Sequence, residues 1–342
     1  MFQESLTYDD VLLVPQYSDI ESRSEVDISS PLSERTILTV PIISSPMDTV
    51  TESAMAVTVS ENGGLGIIHR YNSVEEQSAL ISRALQDPGC RIVGAAVGAT
   101  GNFEERAHAA VDTGAEIICI DIAHGHHVLM KRALQRLKQN FKSNIHIMAG
   151  NVATAMGYRA LVEWGADSVR CNIGGGSICS TRIQTGHGVP GLHTIFECAA
   201  EDLGVPIIAD GGIKTSGDIV KALGAGADFV MLGSLLAGTD EAPGVLFEDL
   251  DGKEYKVYRG MASRDAQTDW RGRLTSAPEG VSTTIPYKGS ATAVLADLTM
   301  GIRSGFSYTG ARTMSEFQAR SKFIKQTAAS QLESSAHILR RG

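Results

Sequence analysis

Short, continuous runs of apolar and largely β-branched residues recur eight times along the chain: Pro41–Met47, Gly64–His69, Ile92–Gly98, Glu116–Ile122, Ile145–Asn151, Asp167–Ile173, Pro206–Asp210 and Asp228–Ser234. They do not alternate apolar with polar. A strand needs apolar residues at successive positions when both its faces are buried, as in a parallel sheet. The segments between the runs have helical period. Phe103–Thr113 and Ala153–Trp164 set apolar residues on one face and charges on the other. Thr215–Leu223 opens on Thr215 and Ser216, either of which can cap a helix. Eight strands alternating with helices predict an α/β fold of the (β/α)8 TIM barrel type, with a doubly wound open sheet as the alternative. Residues 1–342 contain no linker or low-complexity tract and read as a single catalytic barrel domain. Gly260–Pro278 is polar, charged and without apolar period. It predicts a long mobile loop, a flap at about residues 260–280.

Composition narrows the function. A length of 342 residues suits one large barrel, and 43% hydrophobic with 20% charged residues excludes disorder. The 36 glycines suit tight βα turns and backbone that approaches a ligand closely. A net charge of −9 argues against nucleic acid as a partner, because neutralising a phosphate backbone takes clustered Lys and Arg. A small anion can still bind at helix starts. The five cysteines, Cys90, Cys119, Cys171, Cys179 and Cys198, are odd in number and lack C-x-x-C spacing, which argues against a disulfide framework or a structural zinc site. The N-terminus shows no basic segment before an apolar run, and no stretch approaches the roughly 18 apolar residues of a membrane span. The expectation is a cytoplasmic protein with no membrane partner.

In a barrel of this kind the chemistry sits at the C-terminal ends of the strands. Those ends read Ser45-Pro46-Met47-Asp48, Asp121-Ile122-Ala123-His124-Gly125, Gly150-Asn151, Asp210-Gly211-Gly212 and Gly233-Ser234, and the sixth run leads into Asn172–Thr181. Asp-Gly-Gly and Gly-Ser after the seventh and eighth runs fit a phosphate site, where main-chain N–H groups meet an oxyanion; the plainer reading is tight turns. In Gly174–Thr181, three glycines precede Ser177-Ile178-Cys179-Ser180-Thr181. Carbonyls of such a loop can cup a monovalent cation, and its N–H groups an anion. Cys179 stands where a thiolate can attack an electrophilic ring carbon, with Thr181 near enough to donate or relay a proton. On spacing alone an inert cysteine remains the better reading. His124, His126 and His127 lack the i,i+4 spacing of a helical metal pair, so a loop that orients substrate or cofactor is expected there. Cys119 lies within a strand and reads as core.

These residues, in this order, resemble the IMP dehydrogenase / GMP reductase family over about residues 5 to 340. The matching motifs are Leu6–Pro15, Ser45–Thr51, Gly63–His69, Gly150-Asn151-Val152, Gly174–Thr181, Ala209–Ile213, Gly233–Gly238, Tyr258–Met261, Glu279-Gly280 and Pro286–Gly289. The resemblance reverses the bland reading of Cys179. It implies a covalent adduct of Cys179 at purine C2 of a purine nucleoside monophosphate, with Thr181 and Glu279 handling protons. Ser177, Asp210, Gly211, Gly212, Gly233 and Ser234 would hold the ribose phosphate. Ser45, Met47, Asn151, Arg170, Tyr258, Gly260 and Met261 would frame ribose and base. Asp121, Ala123 and His124 would face the nicotinamide cofactor, and carbonyls of Gly174, Gly176 and Cys179 would bind potassium. A homotetramer is implied as well.

Three features depart from the family pattern: Asn172 where glycine is usual, Gly175 where proline is frequent, and Thr185–Gly191 reading TGHGVPG. Dehydrogenases of the family usually carry an inserted regulatory domain, and their flap holds an Arg-Tyr pair that activates water. Here Gly63–Gly98 runs through uninterrupted, and the 17 residues between Met261 and Glu279 contain no such pair, the nearest candidates being Trp270-Arg271 and Arg273. Ser304–Gln318 and Gly233-Ser234 look more like a dehydrogenase. The expectation is NADPH-dependent reduction of GMP to IMP. The alternatives are an IMP dehydrogenase using NAD, or a catalytically weak nucleotide-binding member.

Overall fold

The computed structural model describes residues 4–274 and 277–334. Eight parallel strands close into a barrel. In chain order they are β1 (Ile42–Ser44), β2 (Leu65–Ile68), β3 (Val93–Val97), β4 (Ile117–Asp121), β5 (His146–Val152), β6 (Ser168–Cys171), β7 (Ile207–Asp210) and β8 (Phe229–Leu232). Each falls on one of the eight apolar runs, β5 running one residue past its run to Val152. Neighbours pair in sequence, and β8 closes on β1 with Val230 beside Ile42. The runs read as continuously apolar because alternate residues serve two cores. Ile43, Leu65, Ile67, Cys119, Met148, Ile208, Phe229 and Met231 pack inside the barrel, while Ile42, Ile68, Ile118, Ile147 and Val230 pack beneath the helices. Cys119 is core, as its place in a strand implied, and burial pushes its thiol up to about 11. An N-terminal hairpin, Ser30–Ser33 with Thr36–Leu38, contributes Leu32 and Leu38 to the interior cluster.

The helices follow their local signals. Phe103–Thr113 is helical over the expected span and stops at Gly114, whose φ of +116° suits only a residue without Cβ. Thr154 caps Ala155–Glu163. Of the two candidates before Ser216–Gly224, Thr215 is the cap, in a reciprocal box with Asp218. Between β8 and the long helix Ala291–Thr309 the chain forms an antiparallel sheet of β9 (Phe247–Glu248), β10 (Glu254–Arg259) and β11 (Ser282–Pro286). The flap that follows β10 departs from the expected loop. Arg264–Arg271 is a helix capped by Ser263, and it buries Ala266 and Gln267. One buried alanine and one buried polar amide make too small an apolar face to register as a period. Among the described residues no helix is long and apolar enough to cross a membrane.

At the start of β5, His146 is held to Ser168 at 2.8 Å, and burial lowers its pKa from 6.5 to about 4 despite the nearby Asp167. The ring is therefore neutral in the fold, whereas the unfolded chain takes up a proton below its ordinary value. Stability that is full above about pH 6.5 should fall as pH drops towards 4. His146→Gln is expected to flatten this decline. The check is the melting temperature of both proteins at pH 7.5 and pH 5; equal decline would refute it.

Candidate active site

One cavity of about 350 Å³ opens at the C-terminal ends of the strands. It brings together Cys179, Thr181 and Glu279, and with them Ser45, Met47, Asn151, Arg170, Ser177, Asp210, Gly211, Gly212, Gly233, Ser234, Tyr258, Gly260 and Met261. Asp121, Ala123, Gly174 and Gly176 line it too. His124 does not. Gly125 N–H bonds the Asn151 carbonyl at 2.6 Å, so the chain turns after Ala123 and leaves His124 exposed, its ring 6.5 Å from that of His127. His126 packs on Trp164 and His127 caps the next helix. Among the described residues no His, Cys, Asp and Glu group is arranged to hold a metal ion.

Cys179 differs from the other cysteines. Cys90, Cys119, Cys171 and Cys198 are buried, whereas Cys179 is partly exposed, and its thiol donates to Thr181 Oγ1 at 3.1 Å. Its loop is stitched to the far end of the flap. Ser180 N–H donates to the Glu279 carbonyl at 2.9 Å, Val281 N–H donates to the Ile178 carbonyl at 3.0 Å, and Ser180 Oγ reaches the Pro278 carbonyl at 3.0 Å. This stitching joins the Glu279 backbone to the Cys179 loop, 100 residues away in the chain, and both residues line the cavity.

Opposite lies a pocket of small residues. Gly211 and Gly212 both have left-handed φ, +86° and +79°, which favours glycine at both positions, and their main chain lines the cavity. A Cβ on Gly233 would lie 2.9 Å from Tyr258 Oη, so glycine is required for the tyrosine to reach in. Burial pushes that phenol up to about 12, although a hydrogen bond with Ser177 works the other way. Lys288 supports the turn from below, its ammonium donating to the carbonyls of Ser234 and Leu235, and burial brings its pKa down to about 8.

The floor is charged and internally paired. Arg170 donates to Asp121 Oδ1 at 2.7 Å and to Asp210 Oδ2 at 2.8 Å, and Asn151 Nδ2 also donates to Asp210 Oδ2 at 2.8 Å. Burial opposes charge on Asp121, yet Arg170 and Arg70 outweigh it and hold the carboxyl below its ordinary range. Arg170 was expected to frame ribose and base. It lines the cavity, and its guanidinium also holds the Asp121 and Asp210 carboxylates in place.

Arg70, Tyr71 and Gln267 line the cavity without having been anticipated, and Asn172 and Trp270, noted in the sequence for other reasons, line it too. Arg70 and Tyr71 directly follow the second run, Gly64–His69, and the strand-end rule applied to that run would have found them. The Arg70 guanidinium stands 4.8 Å from the Tyr71 ring centre, and Tyr71 meets Trp270 of the flap helix edge-on at 6.4 Å. Arg259 bridges Asp48 of the β1 exit and Asp269 of the flap helix. Of the flap arginines, Arg264 and Arg273 are exposed, and the Arg271 side chain lies outside the described residues.

Residues 5–337 match the model of the IMP dehydrogenase / GMP reductase domain. The chain is 34% identical to an inosine-5'-monophosphate dehydrogenase of Nitrosopumilus maritimus, covering 98% of both chains, and 34% identical to a GMP reductase of Leishmania major, covering 98% and 97%. Those alignments run to 471 and 478 positions, so relatives bearing either name carry segments that this chain lacks. A crystal structure of a cysteine-to-alanine variant of GMP reductase from Trypanosoma brucei, in complex with guanosine 5'-monophosphate, superposes with a TM-score of 0.93 at 32% identity, covering 98% of each chain.

Proposed function

The chain belongs to the IMP dehydrogenase / GMP reductase family, and on that premise we propose that it is a GMP reductase, catalysing GMP + NADPH + H⁺ → IMP + NADP⁺ + NH₃ through an adduct between Cys179 Sγ and purine C2. The absence of an inserted domain does not bear on this choice, since relatives of both names have longer chains. The flap carries it. Among the described flap-helix side chains, Gln267 and Trp270 reach the cavity, and neither an amide nor an indole can take a proton from water. A reaction that ends by hydride delivery to C2 has no need of that base.

In this reading the Gly211-Gly212 and Gly233-Ser234 N–H groups, with the hydroxyls of Ser177 and Tyr258, hold the phosphate. Asp210 accepts from ribose hydroxyls, because a carboxylate repels a phosphate. Ser45, Met47, Asn151, Gly260 and Met261 frame the nucleoside. Cys179 gives up its proton through Thr181 and bonds C2. Glu279 and Thr181 then protonate the exocyclic amine, which leaves as ammonia. The wall of Tyr71, Ala123 and Trp270, with Asp121 behind it, fits a flat nicotinamide. NADPH, when bound there, supplies the hydride. Cleavage of the C2–S bond afterwards returns Cys179 as a thiolate. The carbonyls of Gly174, Gly176 and Cys179 suit a hard monovalent cation. The Gly176 carbonyl accepts Cys179 N–H at 3.1 Å and keeps a second lone pair. A potassium ion there would fix the loop.

One observation favours the dehydrogenase as a second reading. Arg70 and Tyr71 form an Arg-Tyr pair within the same cavity, supplied by β2 rather than by the flap. Saturating assays of the purified protein decide between the two. GMP-dependent NADPH oxidation with stoichiometric ammonia is expected, with little NAD⁺ reduction by IMP. XMP formation outpacing IMP formation would overturn the reductase assignment.

A further inference from the structure

Asn172 leaves β6 with φ +145°, in the left-handed region that favours glycine. Its side chain is buried. A Cβ built on Gly175 would lie 2.2 Å from Asn172 Nδ2 and 2.8 Å from Oδ1, and its three nearest atoms all belong to Asn172. The amide and any side chain at position 175 therefore exclude one another. Gly175 itself is outside the left-handed range, so its backbone does not demand glycine. Asn172 does.

The same residue ties three strand exits together. Its N–H donates to the Val152 carbonyl at 2.8 Å, its carbonyl accepts Asn151 Nδ2 at 3.0 Å, and its own Nδ2 donates to the Gly211 carbonyl at 3.2 Å. The loop it governs touches the cradle opposite: a Cβ on Gly211 would lie 3.2 Å from Gly176 Cα and N. This arrangement is not the most stable one available. It holds a non-glycine residue in glycine's region and leaves Asn172 Oδ1 buried without a partner. Strain and unmet polar groups of this kind persist where function over-determines the geometry.

We infer that Asn172 is a positioning residue, whose amide sets the path of Gly174–Gly176 and so the placement of Cys179 against the Gly211-Gly212 cradle. It does by side-chain packing what a residue bearing Cβ at position 175 would do by restricting the backbone. Asn172 and Gly175, two departures from the family pattern, are then one change in two places. This inference rests on reading Cys179 as the nucleophile and Gly211-Gly212 as the phosphate cradle.

The test compares four proteins: the native chain, Asn172→Gly, Gly175→Ala, and both together. The readouts are the rate of Cys179 alkylation by iodoacetamide, the dissociation constant for GMP, turnover and melting temperature. Alkylation reports Cys179 because the other four cysteines are buried. Asn172→Gly relieves a strained backbone, so it should fold with its melting temperature kept. It should still shift the alkylation rate and lower turnover about tenfold, since small misplacements of a reacting group are expensive. Gly175→Ala should weaken GMP binding about tenfold beside Asn172, and should be neutral or restorative beside glycine. If Gly175→Ala fails to fold while the double variant folds, the coupling is supported equally. An equal effect of Gly175→Ala in both backgrounds would overturn the inference. So would a change in melting temperature alone, with alkylation, binding and turnover within about twofold of the native chain. Should GMP not be reduced at all, the alkylation rates still decide the point, so failure of the reductase reading remains distinguishable.

Discussion

Cys179→Ala is expected to abolish turnover, by a factor on the order of 10⁴–10⁶ as for other covalent nucleophiles, while GMP binding stays within about threefold. The contacts proposed for phosphate and ribose lie on β6, β7, β8 and β10, and none uses the sulfur. The thiol is partly exposed, hydrogen-bonds Thr181 Oγ1 and lines the cavity, so its loss leaves Thr181 open to solvent rather than buried and unpaired. The complementary experiment uses the native protein. Iodoacetamide should label Cys179 first, because the other four thiols are buried, and GMP should slow the labelling. Turnover above one hundredth of native in the alanine variant would rule out the covalent path.

Gly212→Val is expected to raise the dissociation constant for GMP about a hundredfold, and the Michaelis constant with it. At φ +79° a β-branched residue is strained by roughly 1–2 kcal/mol or more, and its Cβ would stand 3.3 Å from the Gly175 carbonyl. The turn must open, which disperses the N–H groups that converge there. Guanosine, which has no phosphate, should lose little affinity. Calorimetry with both ligands separates the two effects. If guanosine binds native protein as tightly as GMP, or loses as much on substitution, the cradle does not hold phosphate.

The chain reports its barrel openly because each strand is buried on both faces. Ile43, Leu65, Phe229 and their outward neighbours must all be apolar, whatever partner each meets, so the runs are visible one at a time. The strand ends are visible for the same reason: small and polar residues such as Ser45, Asn151, Asp210 and Gly233 interrupt the runs where the chain reaches the cavity. Cap signals are local too, and Thr215 with Asp218 closes within one helical turn. What the chain could not display is anything settled by closure. Only when β8 meets β1 do Gly233, Ser45 and Tyr258 converge. Only across β4, β6 and β7 does Arg170 find its two carboxylates. The flap helix, which buries only Ala266 and Gln267, draws its placement from Arg259, Asp48 and Tyr71 rather than from its own period. Asn172 and Gly175 look like separate oddities in the sequence because steric exclusion between an amide and an absent Cβ exists only once the loop has folded. Periodicity and capping act through near neighbours along the chain, whereas the site depends on distances between residues far apart in it, and those distances belong to the tertiary structure.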